Sequence, residues 1–410
     1  MTLAQWYDLR DLGNPVHALL LWVGRWGPHW LVYVVAGLIG AAAILAFVVP
    51  SQLVLIWWER RFLARFQIRR GPNRVGKFGL LQSLADGFKI MAKETWVPRA
   101  ADKWPFLLAP IVMMVPSIML FAVLPFGKGM VFANLPSGIV YLVALSGVGT
   151  IAVFMAGWAA NNKYALLGAM RSIAMLLSYE IPAVLALLTV VVYTGSMNLQ
   201  VITRFQAHYN AWGLFLLPVP LLVYLVSSTA ELNRTPADIA EAESELGAGY
   251  HTEYSGFRFV VFYAAEFTNT VVVAAVISTC FLGGWSLFGL DTWIPGWIIY
   301  ISKIFVMFSV FGWVRGTLPR LRIDQLMAFA WKFMLPVTLV NLVAVTVEIA
   351  LWQQLGWSAG AAFPLFAVAN WLLAGVLLVG GWRVFGITRI VAPRRPRMFR
   401  EVGAVIEANR

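Results

Sequence analysis

Cysteine is almost missing from this sequence, and charge is scarce. The single Cys280 excludes an internal disulfide and any iron–sulfur cluster held by this chain alone. The histidines (His17, His29, His208 and His251) are scattered and lack the paired helical spacing of haem or zinc ligands, so no metal site is expected. Any metal centre used by this protein would then belong to a partner. Only 12% of the residues are charged, about half the ~25% usual in soluble domains. A soluble enzyme is therefore excluded. The first residues, MTLAQWYDLRDLGNPVHALL, lack a basic stretch leading into a compact apolar core, so a cleaved signal peptide is not expected. The internal repeat that marks many secondary transporters is also missing.

What the sequence has instead is apolar length. Hydrophobic residues make up 60% of the 410, mean hydropathy is +0.76, and runs of about 20 residues, enough to cross ~30 Å of hydrocarbon, recur throughout. Nine spans are expected, at 32–57, 105–126, 137–159, 174–194, 211–230, 262–283, 295–313, 333–353 and 363–382. The fold class that follows is all-α: a polytopic helical integral membrane protein with an amphipathic interfacial helix after the first span. The net charge of +12 describes topology rather than nucleic-acid binding. With the N-terminus outside and the C-terminus inside, 26 of the 31 Lys and Arg fall in inside segments and 4 outside, as the positive-inside rule requires. Contact with anionic lipid is a second use for that excess. The chain reads as one membrane domain, 1–410, with inside segments at 58–104, 231–261 and a basic tail at 383–410. Within 58–104, WERRFLARFQIRR suits a helix lying in the interface plane, and LLQSLADGFKIMAKE resumes a helical pattern.

Ionisable residues at membrane depth are expensive and are functional candidates by default. Glu180, Glu231 and Glu266 sit on consecutive spans near the inside surface. Snorkelling to headgroups is their bland alternative. Lys303 lies within a span, and Glu348 falls near the outer end of its span, where exposure is expected. The loop after Glu231 inverts the basic excess, with Asp238, Glu241, Glu243, Glu245 and Glu253 against only Arg234 and Arg258. Carboxylates this close couple their titrations and can pass protons, although a plain solvated acidic loop is the competing reading. At the mouth of the first span Glu59 precedes Arg60 and Arg61, and Asp86 and Lys89 are spaced to pair on one helix face. Arg315, Arg320, Arg322 and Asp324 form a further inside cluster, for which structural anchoring is an equally fair reading.

Four segments follow one another in order: ERRFLARFQIRRGPNRVGKFGLLQSLADGFK, WAANNKYALLGAMRSIAMLLSYEIP, AELNRTPADIAEAESELGAGYHTEYSGFRF and WVRGTLPRLRIDQLM. Together they closely resemble the membrane subunit of respiratory complex I that is lettered H in bacteria and numbered 1 in mitochondria. The resemblance covers roughly residues 30–355. It implies that Glu59, Arg60, Asp86, Gly87 and Lys89 line a quinone chamber, with Arg315 and Arg320 at its base. It further implies that Glu180, Glu231, Glu241, Glu243, Glu245, Glu253 and Glu266 belong to the proton path. Where the family usually has Phe and Pro this chain has Ala237 and Ala240, Thr95 replaces an acid after Glu94, Met175 replaces Gln, and Gly87 stands where Ala is common.

The resemblance implies a subunit of proton-pumping NADH:quinone oxidoreductase in a prokaryotic cytoplasmic membrane, with quinone as substrate. FMN and the iron–sulfur clusters would sit only in partner subunits. The implied partners are the hydrophilic arm that carries the terminal iron–sulfur cluster, small membrane subunits, antiporter-like subunits and lipid, with no nucleic acid. The alternatives are a homologous subunit of a membrane-bound [NiFe]-hydrogenase or formate hydrogenlyase, and a stand-alone proton-coupled transporter.

Overall fold

A chain surrounded by hydrocarbon has no water to satisfy its backbone, so each spanning segment must close its own hydrogen bonds as a helix. The computed structural model describes residues 29–239, 247–289, 293–357 and 359–384. Among these the elements are helical, apart from one isolated bridge between Gly127 and Met130. Glu241, Glu243 and Glu245 lie outside the described residues, as do His17, Ala240 and nearly all of the expected tail.

The helices are α1 (His29–Phe66), α2 (Gln82–Met91), α3 (Lys103–Met119), α4 (Gly138–Ala159), α5 (Lys163–Thr194), α6 (Leu199–Tyr209), α7 (Gly213–Leu216) and α8 (Pro218–Glu231). After these come α9 (Phe257–Phe281), α10 (Gly296–Thr317), α11 (Ile323–Phe329), α12 (Leu335–Leu355) and α13 (Ala359–Val384). A π-helical turn, Ala330–Met334, joins α11 to α12. Eight of the described helical stretches are long and apolar enough to cross a membrane. The expected span 211–230 is instead broken into α7 and α8 at Leu217 (φ −128°, ψ 58°). Pro218 and Pro220 lack the N–H that a continuous helix would need there.

The interfacial helix also falls elsewhere than expected. No glycine or proline interrupts the chain between Trp57 and Phe66, so WERRFLARF continues α1 rather than turning into the interface plane. At 1.5 Å per residue α1 extends about 57 Å, well beyond a bilayer's ~30 Å of hydrocarbon. Its last turns, with Glu59 and Arg60, therefore project past the apolar slab. The amphipathic helix that follows the first span is α2.

Packing is densest around α9, where every residue from Thr270 to Phe281 is buried. The polar residues it buries bond back to their own helix: Thr270 Oγ1 to Glu266 O, Ser278 Oγ to Ala274 O and Thr279 Oγ1 to Ala275 O, each at 2.8 Å. Val343, Val347, Leu372 and Val376 are exposed on the outside of the bundle, as lipid contact allows. The two ends of the bundle differ in kind. One, here the basic end, collects α2 and the loops before α5, α9 and α11. The other, the far end, carries the turns before α6, α10 and α13.

Candidate functional site

At the basic end the extension of α1 delivers Glu59 into a buried ion cluster. Its side chain is only 3% exposed, and Oε2 accepts from Arg234 Nη1 at 3.1 Å while Oε1 accepts from Arg315 Nη1 at 2.5 Å. Arg234 follows α8 and lies between two rings, 4.9 Å from that of Phe267 and 5.6 Å from that of Phe308. Two guanidiniums thus converge on one carboxylate, and the charge of Asp238 also acts on Arg315. The sequence pointed to Glu59 and Arg315 but not to Arg234, whose signal was its rarity in an acid-rich loop.

Arg60, the next residue, faces the other way and pairs with Asp86 on α2. Gln82 Nε2 donates to the same carboxyl at 2.9 Å. Burial alone would raise the Asp86 carboxyl, but hydrogen bonds from Arg60 and Gln82, with the charges of Arg60 and Lys89, outweigh it and hold it below the ordinary carboxylate range. The expected Asp86–Lys89 pair is thus replaced by Asp86–Arg60. Lys89 makes no ion pair among the described residues, and it acts on Asp86 through its charge alone. A Cβ placed on Gly87 would meet nothing within 4 Å, so the residue beside Asp86 borders open space. Below this group an aromatic strip on α1 packs against α10: Trp58 Nε1 donates to Ser309 Oγ at 3.1 Å, and the rings of Trp58 and Phe305 lie 4.8 Å apart.

The intramembrane acids gather around a second feature. Glu180 on α5 and Glu231 at the end of α8 line one cavity of about 110 Å³, together with Tyr224, Thr150 and Asn269. Its lining is mainly apolar, but these side chains give it polar groups, and it is large enough for several waters, at roughly 10–15 Å³ each. A Cβ on Gly147 of α4 would come within 3.4 Å of Glu180 Oε1, so the carboxyl lies directly against that helix.

Glu266 does not line this cavity. It accepts a hydrogen bond from Tyr250 Oη at 3.1 Å. Tyr250 is delivered by a tight turn, Gly249–His251, that nests on α5 because Gly168 has no side chain: a Cβ there would sit 2.7 Å from Gly249 Cα. His251, enclosed by the rings of Tyr250, Phe259 and Phe262, is pushed by burial down to about 3 and is neutral at physiological pH. Glu253 is occupied elsewhere. It accepts from Asn162 Nδ2 at 2.7 Å, and Asn162 in turn caps α5 by accepting from Tyr164 N at 3.0 Å.

Arg320 is not brought to Glu59. It is exposed, on a separate cavity of about 430 Å³ lined by Arg171, Arg322, Asp324 and Ile239. Ala237 is buried, and Leu321 N donates to Pro236 O at 3.1 Å, so the turn after α8 is tied to the turn before α11 without the usual Phe. Met175 is fully buried in the core, and Thr95 packs against Gly256 at the start of α9. Among the described residues no group of three or more His, Cys, Asp or Glu is placed to hold a metal ion.

Comparison with known proteins gives these groups a context. The NADH dehydrogenase family matches residues 39–346. The NADH-quinone oxidoreductase H subunit of Carboxydothermus hydrogenoformans is 47% identical over 321 residues, 78% of this chain and 91% of its own length. The H subunit of Dehalococcoides mccartyi strain CBDB1 is 49% identical over 323 residues, covering 78% and 87% of the two chains. That of Bacteroides thetaiotaomicron is 40% identical over 349 residues, covering 82% and 96%. The stretch matched by the family, 39–346, holds the Glu59, Asp86 and Glu231 groups, and the chain belongs to the family of NADH-quinone oxidoreductase H subunits, which are membrane subunits of complex I.

Proposed function

We propose that this subunit forms the quinone-access chamber at its basic end, facing the cytoplasm, and the first part of the proton path that couples quinone reduction to pumping. The observation that carries the reading is the arrangement of charge. A buried ion cluster (Glu59 with Arg234 and Arg315) lies one residue along α1 from the Arg60–Asp86 pair, and the Glu180–Glu231 cavity opens deeper in the bundle.

Quinone becomes quinol by taking up two electrons and two protons. An iron–sulfur cluster held by a partner subunit would supply the electrons. The tail lies along the aromatic strip between α1 and α10, and the head approaches Asp86 beside the open space at Gly87. Electron arrival before protonation puts negative charge on the headgroup. The guanidiniums of Arg234 and Arg315 stabilise that charge in a medium poorly screened by water. The same charge biases proton occupancy of Glu180 and Glu231, which exchange protons through the water their cavity admits. Tyr250–Glu266 continues the path, and Glu253 acts by fixing the start of α5. Glu241, Glu243 and Glu245 are assigned to the same proton path. The partners are the hydrophilic arm at the basic end, and small membrane and antiporter-like subunits alongside.

Glu231→Gln in the assembled complex, reconstituted in sealed vesicles, tests this. NADH-driven quinone reduction and proton translocation should fall together, with Glu241→Gln and Glu245→Gln extending the series. Wild-type coupled activity in Glu231→Gln would remove the acid cavity from the mechanism.

A further inference from the structure

Glu348 was expected to be exposed, yet α13 half-buries it. Glu348 Oε2 accepts from Asn370 Nδ2 of α13 at 2.8 Å, and Asn370 is only 1% exposed. The carboxyl lies seven residues before the end of α12, about 10 Å along the helix axis from the far-end turn. Both residues fall beyond the stretch matched by the family, which ends at 346. Helix α13 has therefore brought a polar partner to an acid in the half of the membrane remote from Glu180 and Glu231.

Three observations argue that this is more than a pin between helices. Asn370 Oδ1 has no hydrogen-bond partner among the described residues. An amide with one end unengaged can present Nδ2 to a carboxylate or, turned over, Oδ1 to a carboxylic acid, so the pair accommodates either protonation state. Next, the Glu348 charge acts on the hydroxyl of Tyr193 in the last turn of α5. That hydroxyl is buried and without a hydrogen-bond partner, under the rings of Phe205 and Phe363. Finally, two turns toward the basic end on the same face of α12, Asn341 Nδ2 is buried and unpartnered. So is Ser227 Oγ, one turn from Glu231 on the adjoining α8. Buried polar atoms of this kind are ordinarily satisfied by internal water. Their succession marks a polar track from the Glu231 cavity to Glu348.

We infer that Glu348 is a second proton-binding site, closed over by α13 through Asn370, which takes up and releases a proton during turnover on the far side of the membrane. The elements packed on this part of α12 present Tyr193 from α5 and Asn370 from α13. The step is a proton transfer alone. The Glu348 carboxylate gains a proton from water on the Asn341–Ser227 side and loses it to water on the Tyr193 side, with no oxidant or reductant involved.

The test uses the assembled complex in sealed vesicles. Glu348→Gln keeps an acceptor for Asn370 but cannot titrate, so it separates proton binding from helix packing. The expected results are loss of one protonated-carboxyl infrared band and fewer protons moved per NADH oxidised. Expressing pumping per electron divides out any damage to quinone reduction, so failure of the quinone-chamber reading would not be mistaken for failure here. Asn370→Leu removes the donor to the carboxylate and should enlarge the same band at neutral pH. An unchanged proton-to-electron ratio in Glu348→Gln overturns the proposal whatever the spectrum shows, and leaves Glu348 as the fastening point of α13.

Discussion

The two ends of the bundle surround their charges differently. At the basic end a buried carboxylate is met by full charges from distant parts of the chain: Glu59 with Arg234 and Arg315. At the far end neutral dipoles gather around the charges. Lys303 Nζ donates to three backbone carbonyls, those of Leu282 (2.5 Å), Gly284 (2.9 Å) and Ser286 (2.6 Å), and lies 4.4 Å from the ring of Trp212. Glu348 has the Asn370 amide. Ion pairs keep full charges close to where quinone chemistry is proposed. Dipoles solvate a charge where it stands, which suits a fastening or a proton site. The contrast predicts that the basic end is more costly to break.

Glu59→Gln should have the largest effect. It preserves shape but leaves two guanidiniums facing each other without the carboxylate they share, and breaking one partner of a buried pair costs about 3–5 kcal/mol. Thermal stability and yield of the assembled complex should both drop. Adding Arg234→Met should restore part of the loss, because the second change removes the stranded charge. A double variant no better than Glu59→Gln would show that the cluster is not held by charge.

Lys303→Met tests the far end and should do less. Each lost hydrogen bond from a charged donor is worth about 1.5–3 kcal/mol, but the freed carbonyls lie in a loop that can turn toward water. A net loss of about 1–3 kcal/mol is expected, with faster amide hydrogen exchange in 282–289. Proton pumping per electron should be unaltered. Loss as large as in Glu59→Gln would erase the distinction between the two ends.

These two clusters also show what can be read without a structure. The spans were legible because hydrocarbon permits little except helices, so apolar length translates directly into fold. Glu180 and Glu231 drew notice because an acid in an apolar setting stands out, whereas Glu59 and Asp86 were singled out through the family resemblance. Their partners were not. Arg60 pairs with Asp86 across 26 positions and Arg234 with Glu59 across 175, whereas helical spacing suggested the local partner Lys89. The broken fifth span turned on local backbone chemistry at Pro218 and Pro220, whereas α1 runs on as one helix through its own Pro50. The shielding of Glu348 depended on where α13 packs, which its uniform apolar sequence does not specify.

The buried turn at the basic end offers a third, pH-dependent test. His251 is held near 3 against an ordinary value of 6.5, so the folded state binds fewer protons than the unfolded state between those limits. Stability therefore falls as pH drops from about 6.5 toward 3, by about 1.4 kcal/mol per pH unit while the unfolded form alone titrates. At about pH 5.5 the turn should be weaker by about 1.4 kcal/mol than at neutral pH. His251→Phe should flatten that slope, read as the pH dependence of the complex's thermal midpoint. An equal slope in both proteins would assign the acid sensitivity to other groups.

The smallest effect is expected at Gly87. A methyl group there meets nothing within 4 Å, and replacing glycine by alanine inside a helix is worth at most about 1 kcal/mol in favour of folding. Gly87→Ala should leave complex stability level or slightly raised. If the quinone head approaches Asp86 through this open space, the added methyl should raise the apparent KM for quinone while sparing kcat. That split distinguishes a wall of the chamber from a surface helix, since lipid-facing or water-facing alanine would leave both constants alone. It also probes the contrast between the ends at its finest grain: Lys303 and Glu348 are enclosed by their partners, whereas Asp86 keeps one side clear.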